Sequence, residues 1–254
     1  MRSIRLIARL DIKGPNLIKG IRLEGLRVIG DPNVYARKYY LAGADEIIYM
    51  DTVASLYGRN HLGPIIRKST EECFIPITVG GGIRSIEDVR SILECGADKV
   101  AINTALMTDP ELVRRVAEKY GSQCMVASIE AKKISPGKWE AYFNNGREHS
   151  HKDVVEWAAT LEHFGAGEIL LTSVDMEGTR KGFDSQLIQR VSSVVSFPVI
   201  ASGGFGQLQH FDEAVGAGAD ALAFADCLHY DRIPLAHVRA HAVKHSVEVR
   251  EFNA

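Results

Sequence analysis

Polar and acidic residues close a series of short apolar runs in this 254-residue chain. Asp11, Asp51, Glu130, Thr172 and Asp226 each stand at the end of such a run, as do Gly81 with Gly82, Asn103 with Thr104, and Ser202 with Gly203 and Gly204. Two carboxyls facing one substrate are the usual equipment of a general acid and a general base, which makes Asp11 and Glu130 the first candidates. Glycine pairs at the end of a strand let backbone N–H groups approach an anion, which suits a phosphate. Against each reading stands a plainer one. A strand-end carboxylate also caps a loop, and a glycine pair also makes a tight turn.

Spacing strengthens the chemical reading. Pro76-Ile77-Thr78-Val79-Gly80-Gly81-Gly82 is echoed by Pro198-Val199-Ile200-Ala201-Ser202-Gly203-Gly204, an offset of 198 − 76 = 122 residues. Gly43-Ala44-Asp45 against Gly165-Ala166-Gly167, and Gly96-Ala97-Asp98 against Gly218-Ala219-Asp220, keep the same register. A doubled half implies an even-numbered, closed architecture with a ligand group in each half.

The elements that must position these residues alternate in type. Apolar runs near Ile4 to Leu10, Glu46 to Asp51, Ile75 to Val79, Lys99 to Ile102, Met125 to Glu130, Glu168 to Thr172, Pro198 to Ala201 and Ala221 to Ala225 read as strands. Helical spacing covers Asn33 to Ala42, Ser85 to Glu94, Pro110 to Tyr120 and Lys152 to Phe164. Asp109-Pro110 reads as an N-cap followed by a first-turn proline. Eight strand-helix units and the chain's length predict a single (β/α)8 TIM barrel over residues 1–254, built from two half-barrels. Ile12 to Gly30 reads as a long loop, and Lys132 to Ser150 as a hairpin inserted after the fifth strand. In such a barrel the first and fifth strands face each other across the mouth, which sets Asp11 and Glu130 on opposite sides of a bound substrate. At the other end, the strand starts supply Arg5, Glu46, Lys99 and Glu168: a mixed-sign ring that either pairs internally or gates a passage.

Composition bounds the partners. With 46% apolar residues, 24% charged and a net charge of −2, the chain is ordinary globular material with no general attraction to nucleic acid or an anionic membrane. Cys73, Cys95, Cys124 and Cys227 lack metal-knot spacing, so neither metal nor cofactor is expected and a reducing, cytoplasmic setting is. No run is long and apolar enough to cross a bilayer.

Leu10-Asp11, Lys19-Gly20, Gly30-Asp31-Pro32, Thr78 to Arg84, Gly96 to Val100, Ile102 to Ala105, Gly121-Ser122-Gln123, Gly165 to Ser173 and Ile200 to Gly204 together resemble the HisF family. These proteins are the cyclase subunits of imidazole glycerol phosphate synthase in histidine biosynthesis, and the resemblance covers nearly the whole chain. It implies a lyase that takes ammonia from a partner glutaminase, HisH-like and joined in a heterodimer. The ammonia passes through the barrel and is added to a phosphoribosyl-formimino intermediate carrying two phosphates. Asp11 and Glu130 then match the acid-base pair. Lys19 lies on a loop that folds over the substrate, and Asp51, Thr172, Glu177 and Gly178 join the glycine turns, Asn103, Thr104, Ser202 and Asp226 as substrate or phosphate contacts. Arg5, Glu46, Lys99 and Glu168 match the ammonia entrance, and Asp98 lies on the docking face.

Three positions depart from the resemblance. Glu130 and Glu177 stand where the family has aspartates. Asp226 stands where a serine contacts the second phosphate, with Phe205 and Phe224 replacing small neighbours. These departures keep two alternatives open: a diverged paralogue that supplies ammonia to another substrate, for example in nucleotide-sugar or surface-polysaccharide synthesis, and a non-catalytic subunit that only docks a glutaminase.

Overall fold

A computed structural model describes residues 3–54 and 62–252 of the chain. Eight parallel strands close on themselves: β1 (Arg5–Lys13), β4 (Glu46–Asp51), β5 (Ile77–Gly80), β6 (Lys99–Ile102), β7 (Met125–Ser135), β10 (Glu168–Ser173), β11 (Val199–Ser202) and β12 (Ala221–Phe224). The closing pairs are β12 with β1 and β7 with β10. Helices cover the outside, so both faces of each strand are buried and the strands read as continuous apolar runs rather than alternating ones. Ile7, Ile48, Ala101, Val126, Leu170, Ile200, Ala221 and Ala223 form a separate apolar cluster inside the barrel. The larger core lies between the sheet and the helices.

The outer helices are α1 (Pro32–Leu41), α2 (Gly63–Glu72), α3 (Ile86–Glu94), α4 (Thr104–Thr108), α5 (Glu111–Tyr120), α6 (Val154–His163), α7 (Ser185–Ser192), α8 (Gln209–Gly216), α9 (Asp226–His229) and α10 (Leu235–Lys244). Local chemistry starts several of them. The Asp31 carboxylate accepts from the backbone N–H groups of Asn33 and Val34 ahead of a first-turn proline. Ser85 and Asp88 form a reciprocal capping box, and Asp153 and Asp184 cap α6 and α7. Such caps each contribute about 1 kcal/mol. Asp109 behaves differently from its expected role: Pro110 holds the N-cap position of α5, and the Asp109 carboxylate pairs with Arg115, 2.5 Å away.

The repeated Gly-Ala-Asp segments have a structural use. Asp45, Asp98 and Asp220 each accept a hydrogen bond from a strand N–H, those of Leu6, Ile77 and Val199, at 2.7 to 3.0 Å. The same fastening at the lower rim of β1, β5 and β11 explains why this motif keeps the register of the repeat.

The stretch from Ile12 to Gly30 is ordered rather than a plain loop. β1 continues to Lys13, and β2 (Asn16–Ile21) and β3 (Glu24–Gly30) form an antiparallel hairpin on it. Turn residues hid this from a reading based on apolar runs, because Gly14, Pro15, Gly20 and Gly25 break the pattern. After β7, β8 (Lys138–Phe143) and β9 (Glu148–Asp153) make the expected hairpin, which takes Lys152 out of the helix predicted to begin there. Each half-barrel thus carries one hairpin after its first strand.

Candidate active site

The carboxyl ends of the strands converge on a guanidinium that sequence reasoning passed over. Arg9 is 4% exposed on β1. Its Nε donates to Asp11 Oδ1 at 2.9 Å, and its Nη1 donates to Thr172 Oγ1 at 2.8 Å and Ser202 Oγ at 3.0 Å. Three predicted site residues from β1, β10 and β11 are therefore tied to one buried cation. The available signal was a charge inside an apolar strand at the same parity as Asp11, and hence on the same face.

The two catalytic candidates sit in contrasting surroundings. Burial alone would raise the Asp11 pKa. The charges of Arg9 and Lys19 and the Arg9 hydrogen bond outweigh burial, so Asp11 is held below the usual carboxylate range and ionised. Glu130 is equally buried, and burial dominates there. The N–H of Gly146, donating to Oε2 at 2.7 Å, and the Arg9 charge only partly offset it, leaving Glu130 pushed up to about 7. Two carboxyls with separated pKa values in one site are the arrangement that divides acid from base work.

A cavity of about 340 Å³ opens beside them, lined by Arg9, Asp51, Gly81, Gly82, Asn103, Thr104 and Glu130 among others. Gly81 and Gly82 have φ of +100° and +71°, and a Cβ on Gly81 would lie 2.3 Å from the Asp51 carbonyl oxygen. Only glycine permits this turn. Asp51 also follows the plainer reading, since its carboxylate accepts from Val53 and Ala54 N–H groups. The β8–β9 hairpin roofs the cavity: Asn103 Nδ2 donates to the Tyr142 carbonyl, and Asn144 N–H donates to Thr104 Oγ1. The Asn103 Oδ1 is buried with no hydrogen-bond partner among the described residues.

The related turn of the second half is shut. Gly203, Gly204, Gly178, Ser202, Lys19, Glu177 and Asp226 come together as predicted, but around only about 20 Å³, room for roughly one water. Phe205 packs edge-to-face on Phe224 with ring centroids 4.7 Å apart. Asp226 Oδ1 lies 3.2 Å from Arg232 Nε and 3.8 Å from Arg180 Nε. Because 104 + 122 = 226, this carboxylate occupies the position that Thr104 holds in the open half.

Lys19, on β2, is 3% exposed and ion-paired with Glu177. Desolvation lowers its pKa to about 8 despite the nearby Asp11. Glu177 also accepts from the N–H of Leu23, and its carbonyl accepts from Arg22, so the β2–β3 hairpin is docked onto the loop after β10. Gly178 makes that contact close, with the Gly20 carbonyl oxygen 2.6 Å from where a Cβ would be.

At the opposite end Arg5 pairs with Glu46 and Glu168, and Lys99 pairs with the same two carboxylates, at 2.6 to 3.2 Å. The mixed-sign ring is thus internally paired and sits directly under the apolar cluster of the lumen. Asp98 spends its carboxylate on the Ile77 N–H.

A family model described as histidine biosynthesis protein matches residues 5–234. The chain is 65% identical over 212 residues to the imidazole glycerol phosphate synthase subunit HisF of Legionella pneumophila, covering 84% of this chain and all of that protein. It is 41% identical over 254 residues to the protein of the same name from Endomicrobium trichonymphae, covering 100% of this chain and 98% of that one. With the closed eight-stranded barrel and the site at its strand ends, these similarities place the chain in the histidine-biosynthesis family as a member of its HisF subunits, the cyclase subunits of imidazole glycerol phosphate synthase.

Proposed function

We propose that this chain performs the ammonia-consuming cyclisation itself, with Asp11 as the base and Glu130 as the proton carrier. The substrate is the phosphoribosyl-formimino intermediate, and the products are imidazole glycerol phosphate and an aminoimidazole carboxamide ribotide. The observation that carries the reading is the pair of buried carboxyls in contrasting surroundings, Asp11 hydrogen-bonded to the Arg9 guanidinium and Glu130 to the Gly146 N–H, beside an open glycine turn. Ammonia addition requires a proton to leave the attacking nitrogen and another to reach the departing amine. An ionised Asp11 accepts the first, and a Glu130 near half-protonation at neutral pH supplies the second. Gly81, Gly82, Asn103 and Thr104 hold one phosphate.

The partner in this reading is a glutaminase docked at the lower rim, in the cytoplasm. Support comes from the charged ring under an apolar lumen: neutral ammonia crosses such a lumen at low cost, whereas an ammonium ion meets a desolvation penalty. No helix among the described residues is long and apolar enough to cross a membrane.

The closed second turn favours a second reading, a paralogue whose substrate bears a single phosphate. Turnover with ammonium salt decides. Conversion of the two-phosphate intermediate at an ordinary biosynthetic rate, or rescue of a histidine auxotroph, supports the first reading. Conversion absent in a folded protein supports the second.

A further inference from the structure

On the outer wall, Asp212 of α8 faces His241 of α10 and His245, the C-cap residue of that helix. His241 and His245 are four residues apart and therefore share a helix face. His241 Nε2 and His245 Nδ1 lie 2.8 and 2.9 Å from the same atom, Asp212 Oδ2, and the two rings are 4.0 Å apart between centroids. Asp212 Oδ1 is buried and makes no hydrogen bond among the described residues. Two imidazole nitrogens and one carboxylate oxygen, all three able to ligate a metal, thus converge on one another, while the second oxygen of the same carboxylate has no partner among the described residues.

We propose that Asp212, His241 and His245 form a zinc site. A tetrahedral Zn²⁺ with bonds of about 2.0–2.1 Å spaces its ligand atoms about 3.3 Å apart, so the observed separations need only a small expansion. Imidazole and carboxylate ligands suit zinc, and the fourth position is left to water. The ion takes the place of the imidazole–carboxylate contacts and fastens α8 to the end of α10, the last helix of the barrel. Its function is to close the wall structurally. The ion takes no part in the chemistry at Asp11 and Glu130.

The hairpin trio Glu140, His149 and His151 supplies an internal comparison. There the histidine-to-carboxylate distances are 3.2 and 3.5 Å, and the His151 side chain is 85% exposed. Chelator-treated full-length protein is titrated with Zn²⁺ by calorimetry and with Co²⁺ by visible absorption. The site predicts one tight equivalent, a tetrahedral Co²⁺ band, and a melting temperature raised by about 5–10 °C at zinc 100-fold above its Kd. Loss of even a supporting partner costs metal sites about 10–100-fold in affinity, so His245→Ala and Asp212→Asn should each weaken binding by more than about tenfold and remove the band. Joint replacement of His149 and His151 by alanine should leave both unchanged. Because the His245 side chain is 42% exposed, its loss leaves folding intact. Zinc uptake unchanged in His245→Ala and Asp212→Asn, uptake lost only in the hairpin variant, or no uptake at all would overturn the assignment.

Discussion

Replacing Asp226 by serine separates the two substrate readings, and its effect follows from the closed turn. A phosphate entering beside Gly203 and Gly204 meets the Asp226 carboxylate, which already occupies the Arg232 and Arg180 guanidiniums at 3.2 and 3.8 Å. One charge pair at about 4 Å is worth about 4 kcal/mol at an effective dielectric of 20, and less where water reaches it. The Arg180 and Arg232 side chains are 49% and 42% exposed, so a repulsion of about 2–4 kcal/mol is appropriate. Asp226→Ser should therefore tighten binding of the two-phosphate intermediate by about 30- to 1000-fold, while a one-phosphate fragment binds as before. Titration calorimetry with both ligands reads this directly. Adding Phe205→Ala distinguishes charge from volume: if charge closes the turn, the serine alone delivers most of the gain, and if the rings close it, the gain waits for the double variant. Unchanged affinity for the two-phosphate ligand in both variants would refute the reasoning.

Other expectations concern the two carboxyls, their shared cation and the open turn. Glu130→Gln removes a buried acid whose pKa is raised from near 4.5 to about 7. A raised value means that stability is lost as pH climbs through that window, so the variant should equal the parent below pH 4.5 and exceed it by about 3 kcal/mol above pH 7 in denaturant unfolding. Arg9→Met leaves Asp11 buried beside a lost partner, a change that costs about 3–5 kcal/mol. Because Arg9 holds the Asp11 pKa low and burial alone would raise it, that cost is present at neutral pH and should shrink as pH falls, from the raised pKa of the variant's carboxyl down through the lowered one of the parent. Gly81→Ala forces a side chain into a φ of +100° and against the Asp51 carbonyl, which should cost at least about 1 kcal/mol in stability and weaken inorganic phosphate binding.

Much of the architecture was legible because parallel strands buried on both faces leave continuous apolar runs, and the doubled glycine turns announce a closed, two-half barrel. Asp11, Gly81, Asn103, Thr104, Thr172 and Ser202 were legible as strand-end residues for the same reason. Arg9 was not, because a charge inside an apolar run reads as an interruption until its side chain is seen to meet Asp11, Thr172 and Ser202 from three strands. The β2–β3 hairpin was hidden by its own turns and by β3, none of whose residues is buried and which therefore carries no core signature. The Arg180 and Arg232 partners of Asp226 arise from a loop and from the segment after α9, so no local spacing connects them. Asp98 shows the reverse limit: exposed at the lower rim, where the resemblance puts it, it also fastens β5 through a backbone hydrogen bond that the resemblance does not imply.

The central claim is that Asp11 and Glu130 divide base and acid work in an ammonia-consuming site. Its most direct test is the pH profile of turnover of the phosphoribosyl-formimino intermediate with ammonium salt as the nitrogen source, corrected for the fraction present as free ammonia, in the parent protein, Asp11→Asn and Glu130→Gln. The account predicts a corrected rate that declines as pH rises through about 7 in the parent, and activity reduced by at least about 100-fold in each variant, the scale of a lost general acid or base. Turnover retained in Asp11→Asn or Glu130→Gln, or a decline in the corrected rate that persists unchanged in Glu130→Gln, would contradict it.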